Sequence, residues 1–244
     1  MPSHLIYGKQ AVMELLRAGR RRVESIHYVK SSSQKLMPIL SLAKKMGIPL
    51  TESTVKHLDN RTGGAVHQSV AAIVGPPAIH DIKSFIGRVT ADGKKCVVVI
   101  MDSIMDPRNF GAILRGAETF GVAGAIFPKD RSSDINSTVV KTAAGATEHL
   151  EFCRVTNIAN CVRQLREKGF YVIAADQDGE TNVSGFSAEF PLAVVVGSEG
   201  KGVRPLVKRN CDETIRIPLY GKVASLNVSS AAAVIFYEIS KQFR

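Results

Sequence analysis

At residues 192–202 the chain reads LAVVVGSEGKG: five apolar residues in succession, then a loop with glycine at 197, 200 and 202. A half-exposed strand alternates apolar with polar side chains, whereas a strand without alternation is buried on both faces. Similar runs stand at 96–101 (CVVVIM), 123–127 (AGAIF) and 170–175 (FYVIAA), with a fifth strand at 213–217 (ETIRI). Between them the spacing predicts helices over 109–120, 134–143, 156–168 and 202–210. A last helix, 227–243, carries Val228, Ala231, Ala232, Ile235, Phe236 and Ile239 at helical spacing. Strands apolar on both faces that alternate with helices predict an α/β domain built on a covered parallel sheet, here over 96–244.

Upstream, residues 1–75 predict a smaller α/β domain. GKQAVMELLRAG (8–19) places Val12, Leu15 and Leu16 on one helix face and stops at Gly19. VESIHYV (23–29) reads as a half-buried strand, and QKLMPILSLAKKMG (34–47) as a second helix with Pro38 in its first turn. IPL, a short helix around 53–60 and SVAAIV (69–74) complete the unit. GPPAIHD (75–81) punctuates the chain, and 76–95 is expected to link the two domains.

Charge is divided the same way. Residues 1–95 hold 15 Lys and Arg against 6 Asp and Glu, a net of +9 out of the +10 of the whole chain; residues 96–244 hold 17 against 16. Positive charge concentrated in one module points to a polyanion, and Arg20, Arg21, Arg22, Lys44 and Lys45 are its densest cations. A chain of 244 residues buries enough surface to fold without metal or disulfide. The longest apolar runs are far short of the roughly 20 residues that span a bilayer. No hydrophobic leader opens the sequence, and the four cysteines, Cys96, Cys153, Cys161 and Cys211, show no metal or disulfide spacing. These features predict a cytoplasmic protein with reduced thiols, no resident metal and no membrane partner.

In an open parallel sheet, ligands bind in the loops that follow the strands. Three such loops are rich in Gly, Pro, Asn and Ser: 102–121, 197–202 and 218–231. In the first, Asn109 is a candidate helix cap and Arg115 a cation suited to phosphate or carboxylate. Glycines 111, 116 and 121 recur every five residues and suggest close helix–sheet packing. In the second, Glu199 stands between glycines where packing does not call for it. In the third, Ser225, Asn227 and Ser229 supply small polar groups at the entry to the last helix. Neither GxGxxG nor GxxxxGK[ST] is present, which disfavours an NAD enzyme or a nucleoside triphosphatase. His149 is the only histidine after residue 95 and lies outside these loops, so histidine general-base chemistry is not indicated.

DPRNFGAILRGAETFG (106–121), VVVGSEGKG (194–202) and IPLYGKVASLNVSSAAAVIFYE (217–238) resemble, in order and separation, the three motifs of the SpoU/TrmH branch of the SPOUT RNA methyltransferases. The segment from HLIYGKQAVMELL (4–16) to GGAVHQSVAAIV (63–74) resembles the small RNA-binding domain of the RlmB-type 23S rRNA guanosine 2′-O-methyltransferases. The resemblance implies a parallel sheet whose C-terminal part is threaded into a trefoil knot, and a homodimer formed through that knotted domain. It implies S-adenosylmethionine held by Gly197, Ser198, Gly202, Ile217, Pro218, Ser225 and Leu226. It implies a catalytic set of Asn109, Arg115, Glu199, Ser225 and Asn227, in which Glu199 and Asn227 hold Arg115 and the ribose. The loop before SLNVS reads LYGKVA, a departure from the family's pattern, and its Lys222 is a further candidate for RNA phosphate.

The expected activity is therefore S-adenosylmethionine-dependent 2′-O-methylation of a guanosine in large-subunit ribosomal RNA. Its rivals are a tRNA guanosine 2′-O-methyltransferase and a non-catalytic RNA-binding ribosome-assembly factor. The N-terminal module favours the first over the second, and the intact Arg115, Glu199 and Asn227 disfavour the third.

Overall fold

Continuous apolar runs become central strands because such a strand leaves no face for water. A computed structural model describes residues 4–93 and 95–243. In chain order the elements are β1 (His4–Tyr7), α1 (Lys9–Ala18), β2 (Val23–Val29), α2 (Ser33–Lys45), β3 (Leu50–Ser53), α3 (Val55–Thr62) and β4 (Val70–Val74). Then come α4 (Ile82–Val89), β5 (Val97–Met101), α5 (Pro107–Thr119), β6 (Gly124–Pro128), α6 (Ser137–Thr142) and β7 (Glu151–Val155). The chain closes with α7 (Ile158–Glu167), β8 (Tyr171–Ala175), β9 (Thr181–Asn182), β10 (Leu192–Val196), α8 (Pro205–Lys208), β11 (Glu213–Arg216) and α9 (Val228–Ser240).

The chain packs as two units, Met1–Pro77 with Ile135–His149, and Ala78–Asp134 with Leu150–Arg244. In the first, a four-stranded sheet runs β1-β4-β2-β3, antiparallel except between β2 and β3. Helix α1 buries Ala11, Val12, Leu15 and Leu16, then ends where Gly19 adopts a left-handed conformation and donates its N–H to the Leu15 carbonyl. Pro38 lies in the second turn of α2 and not the first, because the helix starts at Ser33. The segment 135–149, expected inside the large domain, packs in this unit: Lys141 sits over the Tyr7 ring, and His149 pairs with Glu14 at 3.2 Å.

In the second unit, seven strands run β7-β6-β5-β10-β8-β11-β9, every neighbouring pair parallel. All five residues of β5, β6 and β10 are buried. β10 lies between β5 and β8, with Val196 opposite both Met101 and Ala175. Three strands thus end at one level, and their following loops leave the sheet side by side. The expected linker 76–95 is not a tether over its length, since α4 drives a fully buried Phe85 into this core. A Cβ on Gly124 would meet the Phe85 ring at 2.7 Å. At Gly116 the close approach is to α9, where an added Cβ would lie 3.6 Å from the Ala233 Cβ. That glycine serves helix–helix contact and not the helix–sheet contact its spacing suggested.

Candidate active site

The chain segments that leave β5, β8 and β10 are tied to one another by hydrogen bonds. After β5, the buried Asp102 accepts hydrogen bonds from the Arg204 backbone N–H at 3.1 Å and from its Nε at 2.8 Å. After β8, Asp176 accepts from the Val203 N–H at 3.1 Å and pairs with Lys208 at 3.3 Å. These two carboxylates fasten the exit of the loop that follows β10. That loop closes on itself, with the Ser198 N–H donating to the Gly202 carbonyl and the Gly202 N–H returning to that of Ser198, at 3.1 and 3.0 Å. A Cβ on Gly197 would come within 2.0 Å of the Gly202 backbone, so only glycine admits this turn. Glu199 is carried at its exposed tip.

Asp106, and not Asn109, caps α5: its carboxylate accepts from the Arg108 N–H at 2.8 Å, with Pro107 opening the helix. Asn109 is thereby freed for another task. Buried in the first turn, it donates from Nδ2 to Glu199 Oε1 at 2.9 Å and accepts at Oδ1 from Asn227 Nδ2 at 3.0 Å. Asn227 caps α9, its Oδ1 accepting from the Ser229 N–H at 2.9 Å, and its Nδ2 also donates to Glu199 Oε1 at 2.6 Å. Three residues separated by up to 118 positions form one closed network. Among the described residues no donor reaches Glu199 Oε2, which stays open to a ligand.

This network stands on the rim of a cavity of about 560 Å³. Gly197, Ser198, Gly202, Ile217, Ser225 and Leu226 all line it, and Ile215 and Ile235 add apolar wall. Pro218 faces a neighbouring groove instead. Arg115 is not brought to the network: it is exposed on α5, outside the cavity lining. Six residues on from Asn109 is 600° of helix, about 120° away around the axis. Glu199 and Asn227 therefore hold Asn109 where they were expected to hold Arg115. Among the described residues no acid pairs with the Arg115 guanidinium, and the i,i+3 bridge to Glu118 is not formed.

Arg20, Arg22, Lys44 and Lys45 are exposed in the smaller unit, and Lys222 is exposed in the 217–227 loop. Arg21 departs from this group. Its guanidinium is buried against Glu148 at 3.1 Å and donates from Nε to the Gly75 carbonyl at 3.0 Å, so it cannot meet a phosphate. Asp102 and Asp176 were not singled out from sequence. The available signal was an acid placed directly after an apolar strand, in VVVIMD and VIAAD.

The SpoU rRNA methylase family model matches residues 96–237, and a model for RNA 2′-O ribose methyltransferase substrate binding matches residues 5–79. The chain belongs to the SpoU rRNA methylase family. Among SpoU relatives, a putative TrmH family tRNA/rRNA methyltransferase of Staphylococcus haemolyticus is 38% identical over 242 residues, covering 99% of this chain and 97% of the relative. The 23S rRNA (guanosine-2′-O-)-methyltransferase RlmB of Escherichia coli K12 is 34% identical over 241 residues, covering 98% and 99%. In fold, the AdoMet-bound rRNA methyltransferase of Sinorhizobium meliloti superposes with a TM-score of 0.81 at 21% identity, covering 98% of this chain and 87% of that one. The SpoU match spans all three loops, and the substrate-binding match covers the basic segment.

Proposed function

We propose that this chain transfers the methyl group of S-adenosylmethionine to the ribose 2′-oxygen of a guanosine in large-subunit ribosomal RNA. The observation that carries the reading is the Asn109–Glu199–Asn227 network on the rim of the strand-end cavity. The cavity suits a nucleoside: Ile217, Leu226 and Ile235 offer apolar wall to a purine, the glycine loops offer backbone edges, and the volume lies within the range of small-molecule sites. When bound, S-adenosylmethionine supplies an electrophilic methyl carried on a sulfonium. Gly197, Ser198, Gly202, Ile217, Ser225 and Leu226 would hold it, with Pro218 stiffening the same loop.

The remaining work is positioning. Glu199 Oε2 orients the acceptor ribose, the Asn227 amide holds the Glu199 carboxylate in place through Oε1, and Ser225 stands beside them. Arg115 binds the adjacent phosphate and stabilises charge developing on the 2′-oxygen. A guanidinium stays protonated, so the 2′-hydroxyl proton leaves to a phosphate oxygen or to water. Because Arg115 stands outside the cavity, the reading includes a homodimer through the knotted C-terminal domain, with the site completed from both copies. Val234 and Tyr237, exposed on α9, are apolar surface available for that contact. Arg20, Arg22, Lys44, Lys45 and Lys222 would track RNA phosphate. The full-length likeness to the 23S rRNA methyltransferase RlmB favours ribosomal RNA over tRNA, and action on ribosomal RNA favours a cytoplasmic location.

The test is transfer of labelled methyl from S-adenosylmethionine to unmodified ribosomal RNA and tRNA, separated afterwards, with Arg115→Ala alongside. Label is expected in the large ribosomal RNA, falling by about 10²–10³ in the variant. Label confined to tRNA would overturn the substrate, and no label in either pool would overturn the activity. Sedimentation velocity tests the dimer.

A further inference from the structure

Beside the cavity, and sharing Gln177, Ile217 and Ala224 with it, lies a second groove of about 520 Å³ on the outer side of the 217–224 loop. Its lining has a distinct chemistry. Tyr220 is 96% exposed, the most exposed of the large hydrophobic side chains among the described residues. Burying an aromatic ring is among the larger favourable terms open to a side chain, and nothing in the fold takes up this one. Lys222 stands two residues on, exposed, with no acid partner among the described residues. Arg216 donates from Nε to Asn182 Oδ1 at 3.0 Å, which orients its guanidinium and leaves the terminal N–H groups unused among the described residues.

An exposed ring, two cations and the amides of Gln177 and Asn182 together are the groups that take hold of a nucleotide. The ring stacks on a base, the cations meet phosphate, and the amides reach base edges. We propose that this groove binds a nucleotide of the RNA substrate flanking the one that is methylated, with Tyr220 as its stacking platform and Arg216 and Lys222 as its phosphate contacts. The proposal rests on the methyltransferase reading of the adjacent cavity. It places the flanking base one wall away from that cavity, so the same strand serves both sites. The other source of the same chemistry is the nucleoside part of the cofactor, and the experiment separates the two.

Full-length wild type, Tyr220→Ala, Tyr220→Phe and Lys222→Gln would each be titrated with a fluorescein-labelled single-stranded oligoribonucleotide and, separately, with S-adenosylhomocysteine. Tyr220→Ala is expected to lose about tenfold in RNA affinity, and Tyr220→Phe to keep it, because stacking needs the ring and not the hydroxyl. Lys222→Gln should lessen the salt dependence of RNA binding by about 0.7 in log–log slope. Affinity for S-adenosylhomocysteine should not change in any of them. In methyl transfer, Tyr220→Ala should raise KM for RNA and leave kcat unchanged. Unchanged RNA affinity in Tyr220→Ala would overturn the proposal, as would an equal loss of S-adenosylhomocysteine affinity. If wild type transfers no methyl while Tyr220→Ala still loses RNA affinity, the groove stands and the methyltransferase reading falls.

Discussion

Glu148 in the smaller unit and Glu199 in the larger are both carboxylates gripped by a side chain from a distant part of the sequence, and they are gripped to opposite ends. Glu148 is 2% exposed; its Oε1 accepts from the Arg21 guanidinium at 3.1 Å and from the Thr147 hydroxyl at 3.0 Å. Glu199 is exposed, and its Oε1 accepts from two neutral amides at 2.9 and 2.6 Å. A charge taken out of water must be neutralised where it sits, so Arg21 is consumed by the fold. A charge left at the surface is oriented by neutral donors and keeps its ionic capacity for a ligand. Arg21 and Arg115 repeat the contrast among the cations, one spent on Glu148 and the other unpaired among the described residues.

The largest effect is expected from breaking the buried pair. Arg21→Ala or Glu148→Ala should cost about 3–5 kcal/mol in urea unfolding, because each leaves an uncompensated buried charge. The double change Arg21→Met with Glu148→Leu should recover most of that loss. Glu199→Ala, by contrast, should move stability by less than about 1 kcal/mol while removing activity. Equal destabilisation by Glu148→Ala and Glu199→Ala would erase the distinction between the two sites.

A second expectation sharpens the open site. Asn109→Ala removes one of the two donors to Glu199 and the acceptor for Asn227. Its kcat should fall about tenfold, the worth of one hydrogen bond to a charged group. S-Adenosylhomocysteine affinity should be retained, since Asn109 does not line the cavity.

Smaller still is the effect of each surface cation in the first unit. Neutralising Arg20, Arg22, Lys44 or Lys45 singly should weaken RNA binding about fivefold near 0.1 M salt and reduce the salt slope by about 0.7. Arg21→Gln should leave the slope unchanged in whatever fraction remains folded. A slope untouched by all four exposed changes would mean that this basic face is only solvated.

The smallest effect concerns the thiols. Burial pushes Cys96 up to about 11, and Cys153, Cys161 and Cys211 up to about 12. Native protein should therefore resist iodoacetamide at pH 8 while the unfolded chain takes four equivalents. In the unfolded chain these thiols ionise near 9.0, while the folded ones hold their protons to higher pH. The unfolded state thus binds fewer protons above pH 9, and stability should fall as pH rises through that range.

The central strands were legible because burial on both faces writes itself into the sequence as an unbroken apolar run: 192–196 is a strand at both ends as read, and 97–101 differs by one residue. β7 was not anticipated, since this edge strand mixes Glu151 and Arg154 with Phe152 and Cys153 and shows no such run. β1 and β9 were missed for their shortness, at four and two residues. Helix 202–210 contracts to Pro205–Lys208 because Val203 and Arg204 are held instead by Asp176 and Asp102.

The sequence by itself determined the alternation of strands and helices, the three glycine-rich loops and the confinement of excess positive charge to the first 95 residues, because burial and turn geometry select residue types position by position. Tertiary structure alone decided that Arg21 is buried against Glu148, and that Asn109, Glu199 and Asn227 meet. Those outcomes depend on which loops the strand order brings together and on which charges the packing removes from water, and neither is written in the local pattern of residues.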